Sequence, residues 1–324
     1  MSSFREPFAI GIDISATKIA SVLLSDNGEV IKSSQVLTLA EEGPQVVLDK
    51  VADQILALAQ QCPGAIAGVG IGSPGKVDSR RGVVYNAVNL GWTEVNLTEE
   101  ITRRLHQVLP VWIQKDANLS ALGEYYFGAC QGVQDFVYLG IGSGLGAGII
   151  SSGRLITGSD WCAADVGHLS VDPEGPRCVC GGRGCAETVA SGPGLVRVTQ
   201  HMLTHSHRAT SLVNEANLTA EDILAAAHNG DTLALQALAE VGRVLGIIMS
   251  ACTVILNPSR FVVGGGLGLA GFDYILPGAR EELMKRTIPE SRSLLEILPS
   301  RVESPAIGAA CLVWYAHAGE PAKS

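Results

Sequence analysis

Residues 8–31 read FAIGIDISATKIASVLLSDNGEVI, and residues 136–158 read FVYLGIGSGLGAGIISSGRLITG. The two stretches share a layout. Each is an apolar strand, a turn of small residues, a second strand, a polar hairpin and a third strand. In the first copy the strands fall at 8–12, 19–24 and 30–36, with Asp26-Asn27-Gly28 as the tight turn between the last two. Identity between the copies is low, but their register is close. A duplicated β-β-β core with helices between predicts two similar lobes around a cleft.

The rest of the chain fits an α/β architecture, with short apolar runs alternating with amphipathic stretches. Helices are expected at 45–61 and 97–109, and strands at AGVGIGSPGKV and VWIQKDAN, the latter breaking at Asp116. Further on come helices at 220–229 and 232–256, a strand RFVVGGG, and a closing helix from Ala306. The chain has 324 residues and a formal net charge of -9. The length suits two domains, and the acidic balance argues against nucleic acid or an anionic membrane as partner. No basic-then-apolar leader follows Met1. The longest apolar run, VLGIIMSACTVIL at 244–256, is shorter than the about 20 residues of a membrane span, so a buried helix is expected. A cytoplasmic protein is the expectation.

No G-x-x-x-x-G-K-[ST] occurs, which excludes a P-loop. GSGLGA at 142–147 mimics a dinucleotide fingerprint, but a strand and hairpin follow it where a helix is required. GLGLAG at 266–271 follows a strand, with too little chain left for a dinucleotide fold. A different phosphate device fits better. Small-residue hairpin turns can aim backbone N–H groups at phosphates without a helix. Asp13, Thr17 and Lys18 belong to one such turn, and Gly142-Ser143-Gly144 to its counterpart in the repeat. Either alone is an ordinary hairpin turn; as a pair they could hold a triphosphate. Asp13 is a candidate for holding Mg²⁺ through water, since that ion prefers oxygen ligands.

Asp116, at a strand end before a helix, is placed either to cap the helix or to accept a proton from a substrate hydroxyl. Phosphoryl transfer asks mainly for positioning and charge stabilisation, so one base suffices. Of eight cysteines, Cys62, Cys130, Cys252 and Cys311 are isolated in apolar surroundings and read as small buried hydrophobes. Cys162, Cys178, Cys180 and Cys185 cluster along the sequence. His168, Cys178, Cys180 and Cys185 offer one imidazole and three thiolates, a set suited to tetrahedral Zn²⁺. Four ligands leave no open position, so the expected zinc is structural.

These motifs together resemble the ROK family (repressors, open reading frames, kinases), and within it the sugar kinases of glucokinase type. GIDISATKIA resembles the family's opening phosphate turn. GSPGKVD, NLGW and KDANLSALGE follow in family order, then ADVGHLSV and the zinc motif CVCGGRGCAE. FVVGGGL, with Gly265 and Gly266, resembles the adenosine-side glycine loop. The resemblance implies a two-lobed, actin-like or ribonuclease-H-like ATPase fold with a structural zinc loop at 168–187. It implies a small lobe of residues 1–115, joined by the C-terminal helix at about 306–324, and a large lobe of 116–305. It implies ATP-dependent phosphorylation of a hexose, usually at the 6-hydroxyl, with Mg²⁺. Asp116 falls on the catalytic base. Gly72, Asn89, Lys115, Asp165, His168 and Glu187 fall on sugar-contacting positions, and His168 looks like both a zinc ligand and a sugar contact. A homodimer or homotetramer is implied. The first strand starts too early to leave room for the helix-turn-helix of the family's repressors, which favours the kinase branch.

Three positions depart from the family pattern. Ser15 and Ala16 stand where the opening turn usually has Gly, and a Cβ at a position of positive φ would cost about 1 kcal/mol or more. Ser15 offers a hydroxyl in compensation. Lys115 replaces the usual Asn before the base; an amide donates and accepts, an ammonium only donates. Some allose-kinase-like relatives have a basic residue there. Asp165 replaces a usual Glu and is one methylene shorter. Glucose is the default substrate, with allose, an amino or N-acetyl sugar or a cyclitol as alternatives, and a non-catalytic sugar sensor as the competing reading.

Overall fold

The computed structural model describes residues 7–106, 108–205, 210–214 and 217–319. In chain order the first elements are β1 (Phe8–Ile14), β2 (Lys18–Ser25), β3 (Val30–Leu37), α1 (Pro44–Ala59), β4 (Ile66–Ser73), β5 (Lys76–Asp78), β6 (Val83–Ala87) and β7 (Trp92–Val95). Then come α2 (Leu97–Arg104), β8 (Val111–Lys115), α3 (Asp116–Tyr126), β9 (Phe136–Ile141), β10 (Leu145–Ser151) and β11 (Arg154–Leu155). The remainder is α4 (Gly192–His205), α5 (Ala220–His228), α6 (Thr232–Leu256), β12 (Arg260–Gly264), α7 (Gly266–Ala270), α8 (Phe272–Arg286), β13 (Glu296–Pro299) and α9 (Pro305–His317). The chain forms two compact units.

The first unit contains the described residues up to Gly132, then Arg154–Ala163, then the chain from Arg301. Its main sheet has the order β3-β2-β1-β4-β8. The β1–β2 and β2–β3 pairs are antiparallel, while β1–β4 and β4–β8 are parallel. β1 and β4 are buried on both faces, which is why they read as continuous apolar runs and do not alternate. One face takes α1, which buries Val47, Leu48, Val51, Ile55 and Leu58 at helical spacing. The other takes α9, and there the fit needs glycine. A Cβ on Gly11 would lie 1.9 Å from the Ala306 carbonyl oxygen, and one on Gly70 1.8 Å from that of Ala309. Bare backbone lets α9 lie directly on β1 and β4. α2 stops at Arg104, short of the expected 109, because His106 turns to a φ of 52° ahead of Pro110.

Glu124, near the end of α3, is fully buried. One carboxylate oxygen accepts the Ala129 N–H at 2.6 Å. The other accepts the N–H groups of Arg301 and Val302 at 3.0 and 3.1 Å. α3 also packs along α9. Residues 116–132 therefore stay with the first unit, and the boundary falls after Gly132 rather than before Asp116. Residues 154–163 are held in this unit too. Leu155 N–H donates to the Tyr315 hydroxyl at 2.9 Å, Lys76 pairs with Asp160 at 2.7 Å, and the Arg80 guanidinium lies 5.2 Å from the Trp161 ring centre.

Within the second unit the strand order is β10-β9-β12-β13, with β9–β10 antiparallel and both β9–β12 and β12–β13 parallel. The β1–β2 hairpin thus recurs as β9–β10, as the repeat predicts, and in each unit a parallel strand, β4 or β12, adds beside it. Thr219 and Asp222 form a reciprocal capping box on α5, and Asp231 caps α6 through Leu233 and Ala234. α6 is long and apolar enough to cross a membrane by length and composition, yet most of it is buried against α8, α4 and α5. It is the core helix expected from its sequence, except that Val254 and Ile255 at its end are exposed.

Candidate active site and metal centre

In the first unit the parallel strands bring three candidate positions into register. Asp13 on β1 pairs with Gly72 on β4, Gly72 with Gln114 on β8, and Ser73 with Lys115. Asp13, Gly72, Lys115 and Asp116 therefore collect at the carboxyl ends of adjacent strands, where open α/β sheets bind ligands. Asp13 is only 8% exposed. Burial pushes its carboxyl up to about 7, the charge of Asp116 adds to this, and the Lys18 cation opposes it. Asp116 opens α3 and is half-buried. Its Oδ1 accepts the Ala117 N–H at 2.7 Å, so the carboxylate does part of a cap's work while standing at the strand end. The Lys115 N–H is taken by the buried Gln114 side chain at 2.8 Å, and Asn118 donates to the same oxygen at 3.1 Å. Gln114 was not singled out from the sequence. Asn89 is exposed in a short 3-10 turn, Val88–Leu90.

The first turn resolves the question raised by Ser15 and Ala16. Neither has a positive φ, so neither incurs the strain a Cβ would cause there. The Ser15 N–H and hydroxyl both donate to the Lys18 carbonyl at 2.9 Å, and Lys18 N–H donates back to the Ser15 hydroxyl at 3.3 Å. Ser15 spends its hydroxyl on closing the turn. Ala16, Thr17 and Lys18 are exposed at its tip.

In the second unit the counterpart turn is closed by Gly142 N–H donating to Gly144 C=O at 2.9 Å, with Ser143 exposed at the tip. Gly265 adopts a φ of 77° and precedes α7, with Gly266 exposed as its first residue. Asp165 is exposed just before a 3-10 turn, Val166–His168. Glu187 lies in another, Ala186–Thr188, and its Oε2 accepts the Leu145 N–H at 3.0 Å. The residue expected at the sugar thus also touches the glycine turn.

His168, Cys178, Cys180 and Cys185 come together, with all four ligand atoms within 4.8 Å of one another. Cys178 Sγ is 3.7 Å from His168 Nδ1, and Cys180 Sγ is 3.6 Å from Cys185 Sγ. A Zn–S bond of about 2.3 Å gives a tetrahedral edge of about 3.8 Å, so the set fits Zn²⁺. The loop is shaped by its backbone: Cys178 N–H donates to Gly182 C=O at 2.9 Å, and Gly181 has a φ of 90°. Gly182 N–H, followed by the Cys178 side chain, holds the Cys180 thiol below its usual range. Burial pushes Cys185 up to about 12, which a coordinated dication would reverse. Cys162, a sequence neighbour of this group, is exposed, lies in the first unit and is not one of the four.

The ROK family profile matches residues 9–315. A glucokinase from Thermotoga maritima is 33% identical over 314 residues, covering 94% of this chain and 96% of that one. A xylose repressor from Caldicellulosiruptor bescii is 32% identical over 308 residues, covering 94% of this chain and 76% of that one. Among solved structures, a ROK family glucokinase from Streptomyces griseus in complex with glucose and AMPPNP superposes with a TM-score of 0.80 at 31% identity. The match covers 94% of this chain and 98% of that one.

Proposed function

The chain belongs to the ROK family, has the actin-like ATPase fold of that family's kinases and is a sugar kinase, and from that premise we propose that it transfers the γ-phosphoryl group of ATP to the 6-hydroxyl of a hexose. Glucose is the first substrate to test. The observation that carries the reading is the pair formed by Asp13 and Asp116 at the carboxyl ends of β1 and β8. One carboxylate is buried and biased toward holding a proton or a cation. The other is half-exposed and stands at a helix start.

Asp116 is the general base in this proposal. It takes the proton of the sugar hydroxyl as that oxygen bonds to the γ-phosphorus, and the bond from that phosphorus to the bridging oxygen of ADP breaks. Asp13 is an oxygen donor suited to Mg²⁺ through water, and the ion when bound would neutralise charge on the phosphates. Ser15, Thr17 and Lys18 in the first unit, and Gly142, Ser143, Gly144, Gly265 and Gly266 in the second, are assigned to the nucleotide. Gly72, Asn89 and Lys115 in the first unit, and Asp165, His168 and Glu187 in the second, are assigned to the sugar. The family resemblance supports these roles. It also supports a homodimer or homotetramer and a cytoplasmic enzyme.

Lys115 favours a second reading of the substrate. A donor-only ammonium beside the base suits a hydroxyl of allose or a cyclitol or the carbonyl of an N-acetyl sugar, and an amino sugar, which would bring a second cation, belongs in the same assay as a contrast. ADP release measured over that panel tests the proposal. Turnover with a hexose and a product phosphorylated at O6 are expected. Sugar binding without turnover on any member would leave a sugar sensor, in keeping with the likeness to xylose repressors, and sink the kinase reading.

A further inference from the structure

We propose that Glu187 is a positioning residue for the phosphate turn, locking residues 142–145 to the metal-bearing loop, so that this loop sets nucleotide affinity as well as sugar affinity. The inference rests on the kinase reading above. Within the second unit, the segment 187–192 holds the turn at both ends. Glu187 Oε2 accepts the Leu145 N–H at 3.0 Å on one side. Gly192 N–H donates to Gly142 C=O at 2.7 Å on the other. Ser191 ties the segment together by donating its hydroxyl to the Glu187 carbonyl at 2.8 Å.

Gly144 carries the mark of the same contact. A Cβ built there would lie 2.6 Å from Glu187 Oε2, so the missing side chain makes room for the carboxylate. At its other end the frame runs straight into the metal set. Cys185 is two residues before Glu187, and its carbonyl accepts both the Thr188 N–H at 2.9 Å and the Thr188 hydroxyl at 2.6 Å. Ala186 N–H donates to the carbonyl of Leu169, the neighbour of His168, at 2.9 Å. A shift at the four ligands is thereby passed through two residues to the Leu145 amide and to the amides of Ser143 and Gly144 before it.

The sign of the charge separates this role from others. A carboxylate near a polyphosphate repels it, so Glu187 serves the turn by geometry and not by charge. An acceptor oxygen of the same reach should do as well. A sugar contact alone would leave the empty turn untouched.

The test titrates Mg²⁺·ADP onto the metal-loaded, sugar-free protein by calorimetry. Circular dichroism and zinc content are matched across variants. Glu187→Ala is expected to bind ADP roughly tenfold more weakly than the parent. Glu187→Gln, which keeps the acceptor and loses the charge, is expected within about twofold of the parent or tighter. Gly144→Ala, which pushes the carboxylate aside, should match Glu187→Ala and stands in for it if that variant does not fold. Parent-like ADP affinity in either alanine variant overturns the inference while leaving the kinase reading intact. A parent protein that binds no nucleotide overturns both.

Discussion

Asp13 on β1 lies near enough to Asp116 at the start of α3 for the charge of Asp116 to raise the Asp13 pKa. Burial is the larger cause, and the two together hold Asp13 at about 7. The unfolded chain releases that proton near 3.8, so between about pH 4 and about pH 7 the folded state binds more protons than the unfolded. Stability contributed by this group is fully present below that window and falls as pH rises through it. Asp13→Asn removes the titration. In magnesium-free urea unfolding, the variant should gain on the parent from pH 4 to pH 7 and level off above. A constant difference across that range would show that burial and the Asp116 charge do not raise the Asp13 pKa.

Asp116→Asn should lower kcat by about 10²- to 10⁴-fold, the range of a lost general base. The amide keeps an acceptor for the Ala117 N–H, so the start of α3 is preserved. Sugar affinity, read by calorimetry, should change by less than about threefold. Near-normal turnover would rule out the base.

Metal analysis of the purified protein should find about one zinc per chain at the His168–Cys178–Cys180–Cys185 set. Cys180→Ser should lose the metal and lower the melting temperature. Cys162→Ser, at the exposed cysteine outside the set, should retain both. Metal-free protein with parental Tm and activity would contradict a structural zinc.

Glu124→Ala removes the acceptor of the buried Ala129 N–H and of the part-buried Arg301 and Val302 N–H groups. At about 1–3 kcal/mol for the buried donor, and less for the two that water can reach, the loss of unfolding free energy should reach about 2–4 kcal/mol. Glu124→Gln offers one acceptor oxygen where two worked and should fall between. Chemical denaturation checks both. A loss under about 1 kcal/mol would show that water replaces the carboxylate.

Much of this was legible in the sequence because it is local. The hairpin repeat, the strand end at Asp116 and the His/Cys spacing each lie within one continuous stretch of chain, and backbone geometry carries them into the structure nearly unchanged. What was not legible depends on distant partners. Glu124 meets main chain 177 and 178 residues away, and Asp160 meets Lys76 across 84. No periodicity encodes such pairs, and the boundary that the family resemblance implies falls before Asp116, where α3 stays with α9. The strain expected at Ser15 and Ala16 failed for a different reason. The turn closes through the Ser15 hydroxyl at ordinary φ, an option residue identity alone does not reveal. Glu187 was found as a candidate, but its second partner on the glycine turn lies 42 residues upstream.

The contact of α9 with Gly11 and Gly70 has a consequence for synthesis. The strands bearing Asp13 and Lys115 leave the ribosome well before the helix that covers their far face. At about 5–20 residues per second, α9 follows β8 by roughly 10–40 s. Through that interval β1 and β4 lack the helix that covers this face in the folded unit. The first unit therefore cannot complete its core until α9 emerges, while the second unit, whose residues run from 133 to 300 apart from the 154–163 excursion, can finish folding before the first.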